Sequence, residues 1–355
     1  MSAVGGGLGV LCLGINVLDY TVVLDDFPFA DTKQVARRQI VSGGGNAANA
    51  AVQVSRLGVV SKLLSNVGDD LNGRTLLEFL KKENVNVQGV EIADAGHSVT
   101  CFVVVAGKTR TIMSMPYEQR VPNLSIPFLR HQVSDHGIFD NVAVLHLDGR
   151  HPEAAIEAAE RARSQEQKVS VLVEAELRSS QMMRTQGEEI KRLMSYADIV
   201  VTSQDFPTSI ASKGGSDGGK PSLMVHALIE VVGRFAPLCT RAVVTLGKHG
   251  CVAIERVAPG KTGQHTWTTH TVPTFQIAKE VEDTTGAGDA FIGGLAASIA
   301  RNLPFNSALK IASWTGSMNC RGVGARGGMP KALEMPASIR RLWEGKAECG
   351  KGGQK

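Results

Sequence analysis

Aromatic residues are scarce in this chain: three Trp, three Tyr and eleven Phe among 355 residues. None of them can be assigned to a pocket from sequence, so a stacking platform for a nucleobase has no support at this level. The six cysteines (Cys12, Cys101, Cys239, Cys251, Cys320, Cys349) are far apart, with no CxxC pair and no Cys/His cluster at zinc spacing. That excludes a disulfide framework and a zinc ribbon, and points to a reducing compartment. Three histidine pairs, His131/His136, His146/His151 and His265/His270, are each five apart, a spacing that does not put both rings on one helical face to hold a metal. No apolar run approaches the roughly 20 residues needed to cross a bilayer. The opening VGGGLGVLCLGINVLD has no basic leader region and soon meets Asp19. The formal charge of +4 comes from scattered Lys and Arg, which leaves no footprint of a nucleic-acid groove. A cytoplasmic protein with neither a membrane nor a nucleic-acid partner is expected.

What the chain does have is 43% hydrophobic residues, 39 glycines and a repeating βα grammar. The run GVLCLGI (9–15) reads as a strand buried on both faces. TVVLDD (21–26) and VARRQIV (35–41) alternate polar and apolar residues, as half-exposed antiparallel strands do. NAANAAVQVSRL (46–57) has helical spacing, with Gly58 as its stop. Strand and helix then follow at 62–68 and 71–83, and SVTCFVVVAG with TRTIMSM (98–107, 109–115) reads as a hairpin. The middle repeats the alternation at 142–148, 152–163, 168–174, 186–195 and 197–202, the pattern of a parallel sheet covered by helices. SKGGSDGGKPS (212–222) reads as a surface loop, RAVVTLG and CVAIE resume the sheet, and two helices close the chain at about 287–301 and 305–319.

Three stretches carry chemistry. In VEDTTGAGDAFIGG, a glycine turn enters a helix. Free amides at a helix start, with no Cβ on Gly286 or Gly288, form a cradle for phosphate oxygens, and Asp289 is placed to reach a hydroxyl. A plain helix entry with an acidic first turn gives the same residues. In SGGGNAANA, Asn46 and Asn49 lie three apart, so both can face one side of a first turn and offer paired donors and acceptors to a polyol. Helix capping accounts for Asn46 but not for Asn49. The same GGGNAA fits a dinucleotide fingerprint, with Asp69 and Asp70 downstream. The half-exposed strand before it, and a second glycine turn left without a role, weigh against that reading. Asp19 stands just beyond the first buried run, where open α/β sheets place ligand groups. GGSDGGKPS approaches a P-loop, but Pro221 stands where a magnesium-binding hydroxyl is required.

In this order, Asp19, the GGN-x-x-N turn and DTTGAGD resemble the PfkB (ribokinase-like) carbohydrate kinase family, over about residues 8 to 325. NVLD, GGNAAN, TRTI, LHLDGRH and VSVLVE are most similar to its ketohexokinase branch. The resemblance implies an α/β three-layer sandwich with a mostly parallel sheet over 8–330 and a β-sheet lid from about 20–41 and 98–115. A C-terminal helix and disordered tail follow over 331–355. It implies transfer of a phosphoryl group from ATP to a primary sugar hydroxyl, with ketohexose, ribose, nucleoside and pseudouridine as open acceptors. A non-catalytic binding protein of the same fold is the alternative of another class. Implied roles are Asp289 as base, Gly286, Ala287 and Gly288 as anion hole, and Arg110 near the transferred phosphate. Asp19, Gly45, Asn46 and Asn49 would hold sugar hydroxyls, and Asp31 would reach a partner subunit's substrate in a homodimer joined through the lids. Gly247, Gly250, Asn319 and Cys320 would border ATP, with Mg2+ as its companion ion and K+ left open. SQDF (203–206) stands where many members carry N-x-x-E near the metal, so Ser203 and Phe206 replace Asn and Glu, as in the ketohexokinase branch.

Overall fold

The computed structural model describes residues 8–106, 109–176, 183–210, 221–257, 266–277 and 280–346. In chain order the strands are β1 (Gly9–Leu13), β2 (Val17–Leu24), β3 (Arg38–Gly44), β4 (Ser61–Gly68), β5 (Val90–Ala93), β6 (Thr100–Ala106), β7 (Thr109–Ser114), β8 (Val142–Leu147), β9 (Ser170–Ala175), β10 (Ile199–Ser203), β11 (Arg241–Thr245), β12 (Cys251–Val257) and β13 (Thr266–Val272). The helices are α1 (Asn46–Arg56), α2 (Leu71–Lys82), α3 (Ile126–Ser134), α4 (Pro152–Arg163), α5 (Met183–Met194), α6 (Asp205–Ile210), α7 (Pro221–Phe235), α8 (Ala287–Ala300), α9 (Phe305–Asn319) and α10 (Ala337–Trp343).

Every residue of β1 is buried. Val10 and Cys12 enter one core and Leu11 and Leu13 the other, because alternate side chains of a strand leave by opposite faces. This is why the run is continuously apolar instead of alternating. Around it nine strands form one sheet in the order β13-β12-β11-β10-β9-β8-β1-β4-β5. The pairs from β11 to β5 are parallel, and β12 and β13 continue the edge antiparallel. Helices α1, α2, α8, α9 and α10 pack on one face and α3 to α7 on the other. The result is the expected three-layer arrangement.

A second sheet of four strands, β3-β2-β6-β7, stands over the end of the first. Its central pair is parallel and its outer pairs antiparallel. It matches the expected lid, with one correction: Asp19 is not in a loop after a buried strand. The chain turns at 14–16 and pairs again at once, so Asp19 is the third residue of β2 and lies opposite Ser42 of β3.

Strands β5 and β13 and helices α3, α6 and α7 escape the sequence reading. Helix α7 begins at Pro221, inside the 212–222 stretch read as a loop, and buries Met224, Ala227, Leu228, Val231 and Val232. That i, i+3, i+4, i+7, i+8 spacing is a legible helical signal. Strand β13 is largely exposed, so its alternation is weak. The near P-loop at 214–220, the turn at 107–108 and the tail from 348 lie outside the described residues.

Candidate active site

Helix α8 starts at Gly286, whose φ of 74° is left-handed and whose added Cβ would stand 2.1 Å from the Ala325 carbonyl oxygen. Only glycine fits there. The first amides of a helix have no carbonyl a turn earlier to bond. Of the three expected anion-hole residues, Ala287 already donates its N–H to Thr284 O at 3.3 Å. Around Gly288 an added Cβ would meet nothing within 4 Å, so this side of the turn is open. Asp283 accepts from Thr285 N, Thr285 Oγ1 and Gly324 N, which ties this turn to the 320–328 loop.

Asp289, in the first turn of α8, is joined to α1 by Asn49 Nδ2, which donates to its Oδ2 at 2.7 Å. Asn49 Oδ1 in turn accepts from Arg326 Nε at 2.7 Å, and Arg326 Nη2 donates to Gly44 O at 3.2 Å. Asn49 thus holds the carboxylate, and it also lines the polar cavity with a second N–H and a second lone pair on its amide. Asn46 is the first helical residue of α1 and not its cap, which is Gly45. Its Nδ2 donates to Glu174 Oε1 at 2.6 Å. Gly44 lets Asp19 approach, since a Cβ would lie 2.1 Å from Asp19 Oδ2.

Burial pushes the Asp289 carboxyl up to about 6, against the opposing pull of the Asn49 hydrogen bond. Asp19 is pushed up to about 7 by burial, with Arg326 pulling it down and Asp289 adding to the rise. Burial lowers Arg326 to about 10. Burial also raises the fully enclosed Glu174 far above the usual carboxylate range, and the charge of Glu174, then burial, carries Glu176 up to about 8. Burial and mutual crowding hold this set of carboxyls above the ordinary carboxylate range, and Asp289 is the member that also stands beside the glycine turn.

Two cavities meet at this turn. The first, about 640 Å³, is polar and is walled by Asp19, Asn46, Asn49, Arg110, Glu176 and Asp289 among others, including Gly45. The second, about 530 Å³, is lined by Gly247, Gly250 and Cys320 with the apolar Phe275, Val281 and Phe291. Thr284 and Gly288 border both. Arg110 reaches across from β7 of the lid to donate to Thr284 Oγ1.

Two expected residues are placed elsewhere. Asn319 is buried behind the glycine turn, where its Nδ2 donates to Thr285 O and Ala325 O, and it is absent from the second cavity's wall because α9 turns it inward. Asp31 sits at φ 59° in the exposed β2–β3 loop, away from its own chain's cavities. In the SQDF stretch, Ser203 and Asp205 face the polar cavity while Phe206 is buried in the core. Among the described residues no three His, Cys, Asp or Glu side chains are placed to hold a metal. A resident metal cage does not fit this site.

The sequence reading missed Arg326, Glu174 and Asp148. Asp148 accepts from Ile15 N, Ala47 N and Arg150 N, stapling the β1–β2 turn, the start of α1 and its own loop. Its place in LHLDGRH just after a buried strand was the available signal; for Arg326, 37 residues beyond Asp289, there was none.

A model described as pfkB family carbohydrate kinase matches residues 8–332. Among curated proteins, the ATP-dependent ribose-1-phosphate kinase of Halopiger xanaduensis is 28% identical over 319 residues, 89% of this chain and 93% of that protein. Mouse ketohexokinase is 24% identical over 315 residues, 88% and 95% of the two chains. Among solved structures, an Arabidopsis thaliana ribokinase complexed with ribose and ATP matches with a TM-score of 0.70 at 17% identity, covering 95% of this chain and 98% of that one. The fold is thereby ribokinase-like.

Proposed function

The chain belongs to the pfkB family of carbohydrate kinases, phosphotransferases with an alcohol group as acceptor, and from that membership we propose that it moves the γ-phosphoryl group of ATP to a primary hydroxyl of a ketohexose skeleton. The observation that carries this reading is the meeting of a polar and an apolar cavity at one glycine turn, with Asp289 on the polar side. The donor, as its magnesium complex, occupies the apolar cavity with its base end near Gly247, Gly250 and Cys320. The acceptor occupies the polar one, between Asp19, Gly45 and Asn46.

Asp289 takes the hydroxyl proton. A carboxyl at about 6 is mostly ionised at neutral pH yet basic enough to share a proton in the transition state. The amides at Gly286 and Gly288 and the Arg110 guanidinium face the charge that develops on the transferring group, the larger part of catalysis in such transfers. Arg110 belongs to the lid, so closing the lid completes the site and excludes water in the same motion. A sugar is favoured over a nucleoside because Tyr117 is the one aromatic ring in the polar wall among the described residues, and the Arg120 guanidinium covers it at 3.8 Å.

Asp289→Asn is expected to lower kcat by at least about 10³-fold while leaving the affinity for ATP within a few-fold. ADP release from fructose, ribose, adenosine and pseudouridine with magnesium ATP is the assay. A variant that keeps most of its kcat overturns the role of Asp289, and silence across acceptors favours a non-catalytic binding protein. The proposal extends to assembly. The lid exposes Val41, Phe102, Ile112 and Met113, and a homodimer joined through the lids covers them and carries Asp31 toward the partner's site.

A further inference from the structure

Beside the polar cavity lies a further chamber of about 450 Å³, and Ile15, Val99, Tyr117, Arg120 and Arg150 form a wall common to both. It shares none of the 284–289 turn, so it opens from the side of the polar cavity remote from the apolar one. Two cations face this junction. The backbone N–H of Arg150 donates to Asp148 Oδ1 at 2.9 Å, which fixes where its side chain departs. Its guanidinium makes no hydrogen bond among the described residues, and its Nε is buried without an acceptor. Arg120 is held rigidly: it lies over the Tyr117 ring, Nε and Nη2 donate to Met115 O, and Nη2 also donates to Ser114 Oγ. Among the described residues no bond leaves its Nη1.

A buried donor with no acceptor is rare and costly in a native protein, and a planar guanidinium is best satisfied by an oxyanion that takes two of its N–H groups. Carboxyls also line the two chambers, Asp19, Glu176, Asp205 and Asp289 on the polar side. Glu189 lines the chamber. Glu176 lines the polar side, where the charge of Glu174 and burial raise its carboxyl and the Arg150 charge draws it back. Cys101 lies on the polar wall; burial raises its thiol, and its hydrogen bond to Ser114 and the Arg120 and Arg150 charges lower it.

We propose that the acceptor carries an oxyanion, a carboxylate or a phosphate ester, at the end remote from the hydroxyl that is phosphorylated, held between Arg150 and Arg120. The inference rests on the acceptor lying in the polar cavity with its reacting hydroxyl at Asp289. It adds that the far end of that molecule is charged. A neutral ketohexose offers the Arg150 guanidinium hydroxyl acceptors but no opposing charge.

Fructose, fructose 6-phosphate and fructuronate share one end and differ at the other, so they separate the two anionic sources from each other and from the neutral sugar. With magnesium ATP, one of the two anions is expected to exceed fructose in kcat/KM by about 100-fold. Arg150→Gln is expected to shrink that ratio at least about tenfold, chiefly through KM, with Tm within a few degrees of the parent. Fructose turned over as well as both anions, or a loss in Arg150→Gln that is equal for all three acceptors, overturns the proposal while leaving phosphoryl transfer intact. Calorimetric binding with a non-hydrolysable ATP analogue gives the converse separation. An anion that binds more tightly than fructose, and loses that advantage in Arg150→Gln, without being phosphorylated upholds the charged-end reading and sinks the transfer. If neither anion binds more tightly than fructose, the charged-end reading is overturned.

Discussion

At the scale of single residues, the carboxylate of Asp289 is tuned by one amide. Its rise to about 6 comes from burial and is held in check by Asn49 Nδ2. The base must be ionised to accept a proton, so kcat should fall about tenfold per pH unit below about 6 and level off above it. Removing a hydrogen bond that favours the charged form raises an acid's pKa. Asn49→Ala should therefore shift the acid limb of the kcat profile to higher pH, by up to about one unit, which a pH series with saturating substrates measures. A limb that stays in place would mean that Asn49 does not support the ionised base. GGN-x-x-N displayed this amide, but its partner was invisible: the sequence reading aimed Asn49 at a sugar, and the 240-residue separation between Asn49 and Asp289 closes only in the folded chain.

At the scale of elements, the site is a joint between helix starts. Arg326, from the loop after α9, donates to Asn49 on α1 and to Gly44 at the end of β3. Its loss strands two buried acceptors and leaves Asp19 without its neighbouring cation. Arg326→Met is expected to cost about 3 kcal/mol or more in urea unfolding. Lysine should not rescue it, because one ammonium does not reproduce a fork of divergent donors. The entry to α8 is equally constrained. Gly286→Ala puts a methyl 2.1 Å from Ala325 O at a φ of 74°, a backbone strain of about 1 to 3 kcal/mol. Displacing the turn by even a fraction of an ångström should lower kcat by more than about tenfold with the fold retained in circular dichroism. This part of the site was legible beforehand, since a glycine turn before a helix announces its own geometry. Helix α7 was equally legible and was passed over because the glycine-rich run before it drew the boundary too late.

At the scale of the whole molecule, β10, β9, β8 and β1 lie side by side inside the nine-stranded sheet, and Arg110 of the lid strand β7 reaches Thr284 beside the glycine turn. The lid's outer strand β7 is exposed along its length, an arrangement that invites a cover. Sedimentation should show a dimer for the parent, and Ile112→Glu should convert it to monomer. A parent that sediments as a monomer at micromolar concentration removes the lid-to-lid assembly.

Local pattern determined much about this protein. Period-two and period-3.6 hydrophobicity placed the layers of the sandwich, because burial acts on each element through its own faces. Glycine turns marked the helix starts, because φ > 0 and close approach are properties of a few consecutive residues. Only the tertiary structure decided which side chains are free and which are already bonded. It gave Asn49 the role of a brace, moved Asn319 off the cavity wall, and brought Arg326, Glu174 and Arg150 to the site. The physical reason is that hydrogen-bond partnership and desolvation, which set the charge of Asp289 and leave Arg150 without an acceptor, depend on atoms that meet only when distant segments pack together.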